Sequence, residues 1–259
     1  MRSYIPTPSV SALTVGPVTI HFYALCIIIG IIVAISVLRF RAPDEVDLIT
    51  EVATFAIPGG IIGARLYHVI TTPEKYFNSN YLDAFKVWQG GLGIWGAISG
   101  GALAAYWALR KNNATSKFLK IADALAPGLL FAQAIGRFGN WFNGELFGGP
   151  TKLPWALEVP VPNRPENLAS YSTFHPTFLY EALWCTLIAI FLMRYQNFKE
   201  GQVFWVYVAL YSIGRMFIEM LRTDYSNLIF GIRLNVFVAG ICLILGAWQF
   251  LKIKSKKIG

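Results

Sequence analysis

The chain has 259 residues, of which 55% are hydrophobic and only 14% are charged. A soluble domain carries about a quarter charged residues, so a water-exposed surface of ordinary composition is excluded. The 15% share of aromatic residues excludes low-complexity disorder. The formal net charge of +8 is compatible with nucleic-acid binding, anionic lipid or membrane topology, and the positions of the basic residues must decide between them.

Seven apolar segments predict an all-α integral membrane protein with seven transmembrane helices. The predicted spans are 17–38, 48–70, 92–110, 120–138, 176–194, 202–221 and 234–251. The first segment is too long for the core of a signal peptide and lacks a cleavage site, so we expect it to be retained. Residues 1–259 are therefore predicted to form a single polytopic membrane domain.

The three cysteines, Cys26, Cys185 and Cys242, each lie within an apolar run. They show neither a CxxC spacing nor histidines at metal-ligand intervals. We therefore expect small buried side chains, and neither a disulfide framework nor a metal site.

Basic residues are divided unequally between the loops on the two sides of the predicted spans. One side carries twelve, and the other carries seven although its loops are longer. The positive-inside rule places the richer side in the cytoplasm, so the N-terminus is predicted outside and the C-terminus inside. The tail with Lys252, Lys254, Lys256 and Lys257 then lies beside anionic membrane lipid, and no nucleic acid is needed to explain the charge.

Three arginines, Arg65, Arg137 and Arg215, lie inside predicted spans. An intramembrane arginine costs about 2.5 kcal/mol or more, so each needs a physical reason. All three fall in the outward half of their spans and have a glycine beside or near them. We therefore expect them near the headgroups of the outer leaflet, around one guanidinium-lined pocket.

Other polar side chains fall at the same predicted depth: His21, Tyr23, Trp95, His175, Tyr180, Glu181 and Glu219. Such a cavity suits a phospholipid headgroup, because arginine binds phosphate with a planar fork of donors. The alternative is structural, since Arg215 and Glu219 are spaced i,i+4 and could form an ion pair that holds spans together. Asp123 and Glu51 lie towards the cytoplasmic ends of their spans, and we expect them to be capping or pairing groups.

Residues 136–148 closely resemble the signature G-R-x-G-N-x-x-N-G-E-x-x-G of bacterial prolipoprotein diacylglyceryl transferases. The signature here reads Gly-Arg-Phe-Gly-Asn-Trp-Phe-Asn-Gly-Glu-Leu-Phe-Gly. Supporting matches extend over nearly the whole chain: His21-Phe22-Tyr23, Gly63 to Tyr67, Gly90-Gly91-Leu92, His175-Pro176, Tyr180-Glu181, and Tyr211 with Arg215, Glu219 and Arg222.

The resemblance implies a reaction at the outer face of the bacterial plasma (inner) membrane. Such enzymes transfer the diacylglyceryl group of phosphatidylglycerol to the thiol of the lipobox cysteine in the signal peptide of a preprolipoprotein. A thioether forms and glycerol phosphate leaves. The expected catalytic residues are Arg137, Arg215, Tyr23, Glu145 and His21. The expected phosphatidylglycerol-binding residues are Arg137, Asn140, Asn143, Arg65, Arg215 and Glu219.

The chain departs from the family at Trp95, which stands where many members have a histidine that is sometimes proposed as the base. Tryptophan cannot accept a proton, so the role is dispensable or held by another group; we expect Trp95 to pack at the interface. His21, Glu145 and His175 are the candidate bases. No metal-ligand cluster or nucleotide-binding loop is evident, so we expect no cofactor.

The segment 141–174 carries five prolines and is too polar to span a membrane. We expect a small extracytoplasmic head between spans four and five, and the alternative is a plain connector. Two other function classes use the same residues: a transporter or channel for an anionic solute, and a non-catalytic membrane scaffold. The lack of an inverted-repeat signal counts against a transporter, and the clustered buried charges count against a scaffold.

Overall fold

The computed structural model describes residues 4–16, 18–77, 81–87, 91, 93–195, 197–224 and 226–255. Within them the chain forms eight α-helices: α1 (Phe22–Arg41), α2 (Val46–Thr71), α3 (Glu74–Phe77), α4 (Ile94–Lys111), α5 (Phe118–Asn143), α6 (Thr177–Arg194), α7 (Gln202–Leu221) and α8 (Leu234–Ser255). Gly90 and Leu92 of the family match, and Lys256 and Lys257 of the basic tail, lie outside the described residues.

Six of the helices described are long and apolar enough to cross a membrane. These six helices are α1, α2, α5, α6, α7 and α8. The protein is therefore a mostly helical, multi-pass membrane protein. The third predicted span coincides with α4, which is not among the six because glycine, alanine and aromatic residues replace much of the Leu, Ile and Val of the other spans.

Seven short strands accompany the helices and were not predicted. They are β1 (Ile5–Pro6), β2 (Ala12–Val15), β3 (Val18–His21), β4 (Leu157–Glu158), β5 (Thr173–Phe174), β6 (Leu228–Ile229) and β7 (Ile232–Arg233). β2 and β3 form a hairpin that runs directly into α1, so this helix begins at Phe22 rather than at residue 17. β6 and β7 form a second hairpin, which runs into α8.

The chain divides into two compact units, of which the first holds residues 1–38 and 122–259. Its core is apolar and lies between α5, α6 and α7, with Leu130, Cys185 and Leu192 fully buried at its centre. Asp123 accepts hydrogen bonds from the backbone N–H groups of Gly201 (2.5 Å) and Phe204 (2.8 Å), where α7 begins. The prediction that Asp123 is a capping group is thus confirmed, and this contact fixes one end of α7.

The segment between α5 and α6 has a small core of its own. Helix α5 extends to Asn143, more than one turn beyond the end of the predicted span, and includes the first part of the signature. The segment therefore begins at residue 144, not 141. β4 lies between β1 and β5 in a three-stranded sheet. Five side chains pack beneath the sheet: Phe147, Leu157, Val159, Phe174 and Phe178. This packing is inconsistent with a plain connector.

The second unit comprises residues 39–121 and is built on the close pairing of α2 with α4. A Cβ atom on Gly63 would lie 2.3 Å from the backbone oxygen of Gly96, and one on Gly100 would lie 2.4 Å from that of Gly59. Only glycine allows this approach, as at small-residue interfaces between membrane helices. Glu51 pairs with Lys111 at 3.1 Å, which confirms its predicted pairing role.

Candidate functional site

A buried carboxylate joins two of the three intramembrane arginines. Glu181 on α6 is only 2% exposed. Its Oε1 lies 2.7 Å from Nη2 of Arg137 on α5, and its Oε2 lies 3.2 Å from Nη1 of Arg215 on α7. The hydroxyl of Tyr211 donates to Oε1 at 3.0 Å. Three helices thus converge on one side chain, which brings Arg137 and Arg215 together.

Helix packing explains this convergence. Ala134 of α5 and Ala182 of α6 belong to the apolar core of the first unit, and Arg137 and Glu181 lie next to them along their helices. Residues three positions apart share a helix face, so Arg137 points towards the same neighbours as Ala134. The charged groups therefore form the layer that directly follows the apolar core.

A second carboxylate, Glu219, is completely buried and holds Arg215 from the other side. Its Oε2 lies 2.6 Å from Nη2 of Arg215, which confirms the predicted i,i+4 ion pair. Its Oε1 accepts from Nε of Arg233 at 2.8 Å and from Nδ2 of Asn235 at 3.0 Å. Arg222 completes the set at 3.4 Å. Glu219 therefore ties the end of α7 to β7 and to the first turn of α8.

Asp224 extends the network outside the helices. It receives two hydrogen bonds from Arg222, at 2.7 and 2.8 Å, and one from Arg233 at 3.1 Å. Burial alone would raise the pKa of Asp224, but the hydrogen bonds and charges of the two arginines outweigh burial and hold this pKa below its ordinary value. Asp224 therefore stays ionised and neutralises part of the arginine charge.

The described network contains four guanidinium groups and three carboxylates. They are Arg137, Arg215, Arg222 and Arg233, with Glu181, Glu219 and Asp224. A buried charge is costly unless it is paired and hydrogen-bonded, and each of these groups is. The ion pairs among these seven groups therefore offset most of the positive charge.

The signature segment forms a chain of hydrogen bonds that begins at Arg137. Nη1 of Arg137 donates to Oδ1 of Asn140 at 3.2 Å, and Nδ2 of Asn140 donates to Oε1 of Glu145 at 2.9 Å. Asn143 donates to the same oxygen at 3.0 Å. Glu145 stands in a turn in which Gly144 and Leu146 both have positive φ, 62° and 58°. The contacts fix the Asn140 amide, because its oxygen must face an arginine and its nitrogen a carboxylate.

Tyr23 packs against the signature helix at Gly139. A Cβ atom on Gly139 would lie 2.5 Å from Cδ2 of Tyr23, so glycine is required for this contact. The Tyr23 side chain is thus placed between Arg137 and Asn140 along α5. His21 precedes it at the exposed end of β3. Tyr23 therefore lies on the part of α5 that carries the signature, and His21 lies two residues before it in the chain.

His175 is tied into the segment between α5 and α6. Its Nδ1 lies 3.1 Å from the hydroxyl of Tyr180, which also accepts a hydrogen bond from Nε1 of Trp155 at 3.1 Å. The tautomer of His175 decides which of the two groups donates in this bond, and either direction holds His175 beside Tyr180.

Arg65 and Trp95 belong to the second unit. Arg65 is buried, and its guanidinium donates to the backbone oxygens of Ala84 (2.8 Å), Gly91 (3.1 Å) and Asp83. Its Cζ lies 5.0 Å from the centre of the Tyr76 ring. Arg65 thus holds the segment before α4 against α2. Trp95 lies in the first turn of α4 with half of its surface exposed.

A small pocket opens beside the charge network in the first unit. It is lined by Arg137, Asn140, Leu146, Thr177, Phe178, Glu181, Ile218 and Arg222. The lining combines charged and polar side chains with the apolar side chains of Leu146, Phe178 and Ile218. Among the residues described, no cluster of three or more His, Cys, Asp or Glu side chains could hold a metal ion.

Several members of the network were not predicted as site residues. Glu181 was placed only at the predicted depth of the cavity and among the matches to the family, and Tyr211 and Arg222 only among the matches. The one available sign was that Glu181 is an acidic residue inside an otherwise apolar span, which is costly without a partner. Its partners could not be named, because they lie on other helices.

These features define a multi-pass helical membrane protein with a paired-arginine site at the ends of three helices. The sequence model of the prolipoprotein diacylglyceryl transferase family matches residues 10–252. The chain belongs to this family.

Three relatives illustrate the similarity, and each carries the name phosphatidylglycerol–prolipoprotein diacylglyceryl transferase. The protein from Cutibacterium acnes is 46% identical, over 98% of this chain and 88% of its own length. That from Bifidobacterium adolescentis is 43% identical, over 98% and 81%. That from Paenarthrobacter aurescens is 43% identical, over 98% and 84%.

Proposed function

We propose that the protein transfers the diacylglyceryl group of phosphatidylglycerol to the thiol of the lipobox cysteine in a preprolipoprotein. The products are a thioether-linked lipid and glycerol phosphate, and this is the first step of bacterial lipoprotein maturation. The observation that carries the proposal is the pair Arg137 and Arg215, held on the single buried carboxylate of Glu181. Membership of the transferase family supports the same reaction.

The phosphate of the lipid binds at the arginine pair. A phosphodiester carries one negative charge, and its oxygens accept hydrogen bonds from guanidinium groups. Glu181 holds the guanidinium groups of Arg137 and Arg215, and Glu219 holds that of Arg215 as well. Neither arginine side chain must therefore reorganise when the lipid binds. The apolar wall of the pocket, with Phe178 and Ile218, accommodates the glycerol carbons.

The reaction is a displacement at the glycerol carbon that is bonded to the phosphate oxygen. The proton of the thiol passes to a base and from there to the released glycerol phosphate or to water. The sulfur forms a bond to this carbon while the carbon–oxygen bond breaks. The electron pair passes to the phosphate oxygen, so negative charge grows where Arg137 and Arg215 donate. Arginine near the thiol also favours the thiolate, whose ordinary pKa of about 8.5 leaves little of it at neutral pH. The chemistry requires no cofactor or metal.

The signature residues position Arg137. The amide of Asn140 accepts a hydrogen bond from Arg137 and donates one to Glu145. Asn143 donates a second hydrogen bond to the same carboxylate oxygen of Glu145. Because Oε1 of Glu145 accepts two amide hydrogen bonds, we assign Glu145 to orientation. Tyr23 packs on Gly139 beside these groups. We assign its hydroxyl, together with the imidazole of His21 at the end of β3, to contacts with the incoming substrate.

The seven long helices span the bacterial plasma membrane, with α4 as the seventh span, the N-terminus outside and the C-terminus in the cytoplasm. The distribution of basic residues supports this orientation. Residues 144–176 then form an extracytoplasmic head between spans four and five, at the same end of α5 and α6 as Arg137 and Glu181. The partners are phosphatidylglycerol, signal peptides with a lipobox cysteine, and membrane lipid.

In the second unit, Arg65 contributes to lipid binding indirectly, because its guanidinium holds the backbone oxygens of Asp83, Ala84 and Gly91. Trp95, half exposed at the start of α4, packs against lipid or signal peptide.

The decisive test uses purified protein in phosphatidylglycerol vesicles with a lipobox peptide. We expect the peptide to gain the mass of a diacylglyceryl group in step with release of glycerol phosphate. A peptide with serine in place of cysteine and vesicles without phosphatidylglycerol are the controls. Folded protein that gives no modified peptide would refute the proposal, and leakage of an entrapped anion instead would favour a channel.

A further inference from the structure

Helix α5 ends in a turn whose backbone hydrogen bonds follow the Schellman motif. The N–H of Glu145 donates to the backbone oxygen of Asn140 at 3.1 Å, and the N–H of Gly144 donates to that of Trp141 at 3.1 Å. Gly144 has φ +62°, the left-handed conformation that this motif requires and that glycine adopts without strain. The turn therefore fixes the direction in which the chain leaves α5.

The side chains that meet across this turn belong to the site. In most such turns the residue after the glycine makes an apolar contact with the residue that accepts its N–H. Here the two residues are Glu145 and Asn140, and Nδ2 of Asn140 donates to Oε1 of Glu145 at 2.9 Å. Asn140 also accepts from Arg137. The shape of the turn thus decides whether Glu145 can hold the amide that faces Arg137.

The side chain of Asn163, in the segment between α5 and α6, closes the turn from outside. The end of a helix leaves its last backbone oxygens without a donor from the helix itself. Nδ2 of Asn163 donates to two such oxygens, that of Asn143 at 3.2 Å and that of Gly144 at 3.1 Å. An amide nitrogen carries two protons, so both bonds can form at once. A Cβ atom on Gly144 would lie 2.5 Å from this nitrogen, so the contact also depends on glycine.

The backbone that carries this amide is itself held in place. Asn163 ends the short 3₁₀ helix Val161–Asn163, and its N–H donates to the oxygen of Pro160 at 3.0 Å. The preceding residue, Val159, is fully buried in the small core of the segment, and its N–H donates to the oxygen of Ser172 at 3.0 Å. The amide of Asn163 is therefore presented to α5 from a packed part of the segment.

We propose that Asn163 is a positioning residue that acts on Arg137 through the turn at the end of α5. The proposal rests on the transferase function proposed above, in which Arg137 binds the phosphate. Without the amide, two backbone oxygens lose their donor and the turn relaxes. Glu145 then no longer holds Asn140 in the orientation that Arg137 needs. The segment between α5 and α6 thus acts on the reaction through the signature.

The test compares Asn163→Leu with the matched control Asn167→Leu, in which an exposed asparagine of the same segment is replaced. Leucine is close to asparagine in shape but has no donor. We expect Asn163→Leu to lower kcat/KM in the vesicle assay by about 5- to 30-fold, as the loss of one or two hydrogen bonds predicts. The backbone amides of Gly144 and Glu145 should exchange with solvent at least about tenfold faster. Asn167→Leu should change either quantity by less than about twofold.

A double-mutant cycle with Glu145→Ala separates positioning from a general structural role. It is measured on the Kd of phosphatidylglycerol with a brominated acyl chain, by quenching of tryptophan fluorescence in detergent, so it needs no turnover. Asn163→Leu should weaken binding by about 5- to 30-fold in the wild-type background and by less than about twofold beside Glu145→Ala. Equal factors in both backgrounds would overturn the proposal, because a structural defect acts independently of Glu145.

Two other results would also overturn it: wild-type kcat/KM in Asn163→Leu, or unchanged amide exchange at Gly144 and Glu145. Product formation by the wild-type protein tests the transferase function separately. Faster exchange in Asn163→Leu, without any product from the wild-type protein, would refute that function alone, so the two failures are distinguishable.

Discussion

Arg137→Lys is the substitution that most directly probes the arginine pair. Arg137 uses two different nitrogens, Nη2 for Glu181 at 2.7 Å and Nη1 for Asn140 at 3.2 Å. Lysine keeps the positive charge but has one nitrogen on a flexible stem, so it cannot hold both groups in one plane. The variant therefore separates charge from geometry.

The expected loss follows from the contacts. A hydrogen bond that involves a charged group contributes about 1.5–3 kcal/mol, and lysine loses at least one such bond in the site. Each 1.4 kcal/mol corresponds to a factor of ten, so the loss of one bond lowers kcat/KM by roughly 10- to 150-fold. Losing the second donor to the phosphate adds a similar factor, so we expect most turnover to disappear.

The assay follows diacylglyceryl transfer to a lipobox peptide at several phosphatidylglycerol concentrations. Arg164→Lys is the matched control, because Arg164 donates to the backbone oxygens of Val159 and Ala169 in the segment between α5 and α6. We expect this control to retain turnover. Wild-type kcat/KM in folded Arg137→Lys would show that the phosphate does not bind at this guanidinium.

Three further substitutions test the surroundings of the site. Glu181→Gln removes the shared charge and turns an amide N–H towards one arginine, so the free energy of unfolding should fall by about 3 kcal/mol, measured by denaturation in detergent; an unchanged value would contradict the bridging role. Gly139→Ala places a Cβ 2.5 Å from the Tyr23 ring and should cost about 1–3 kcal/mol and lower turnover, and normal values of both would show that the ring moves freely. Asp224→Asn removes a carboxylate whose pKa is lower in the folded protein than in the unfolded chain, so its contribution is present above the unfolded pKa and lost as the pH falls through the folded value. The difference in melting temperature between wild type and Asp224→Asn should therefore shrink on acidification, and a difference independent of pH would be the contrary result.

The long helices could be predicted from the sequence because their signal is local. A run of about 20 apolar residues is sufficient, and every predicted segment overlaps one of the long helices. The strands could not be predicted in this way. Val18 and Ile20 are apolar and continue the first predicted span, yet they pair with β2 instead. The pairing of so short a strand depends on its partner, which a local pattern does not contain.

In the site, too, contacts between residues close in sequence could be predicted, and contacts between different helices could not. The Arg215–Glu219 pair could be predicted, because i,i+4 residues share a helix face. The bond from Arg215 to Glu181 spans 34 positions and joins two helices, so its existence depends on how α6 and α7 pack. The family signature placed Asn140, Asn143 and Glu145 in the site, but only the structure shows that Asn140 connects Glu145 to Arg137.

The three intramembrane arginines have similar local sequences, and predicted depth groups them together. The three arginines differ in the groups that accept their hydrogen bonds. Arg137 and Arg215 face carboxylates, whose charge orients a guanidinium and sets the net charge of the site. Arg65 donates to backbone oxygens, so its hydrogen bonds shape a loop. A lysine at position 65 should therefore perturb the segment before α4, whereas a lysine at position 137 should perturb phosphate binding itself, and the comparison of KM with thermal stability in the two variants distinguishes these effects.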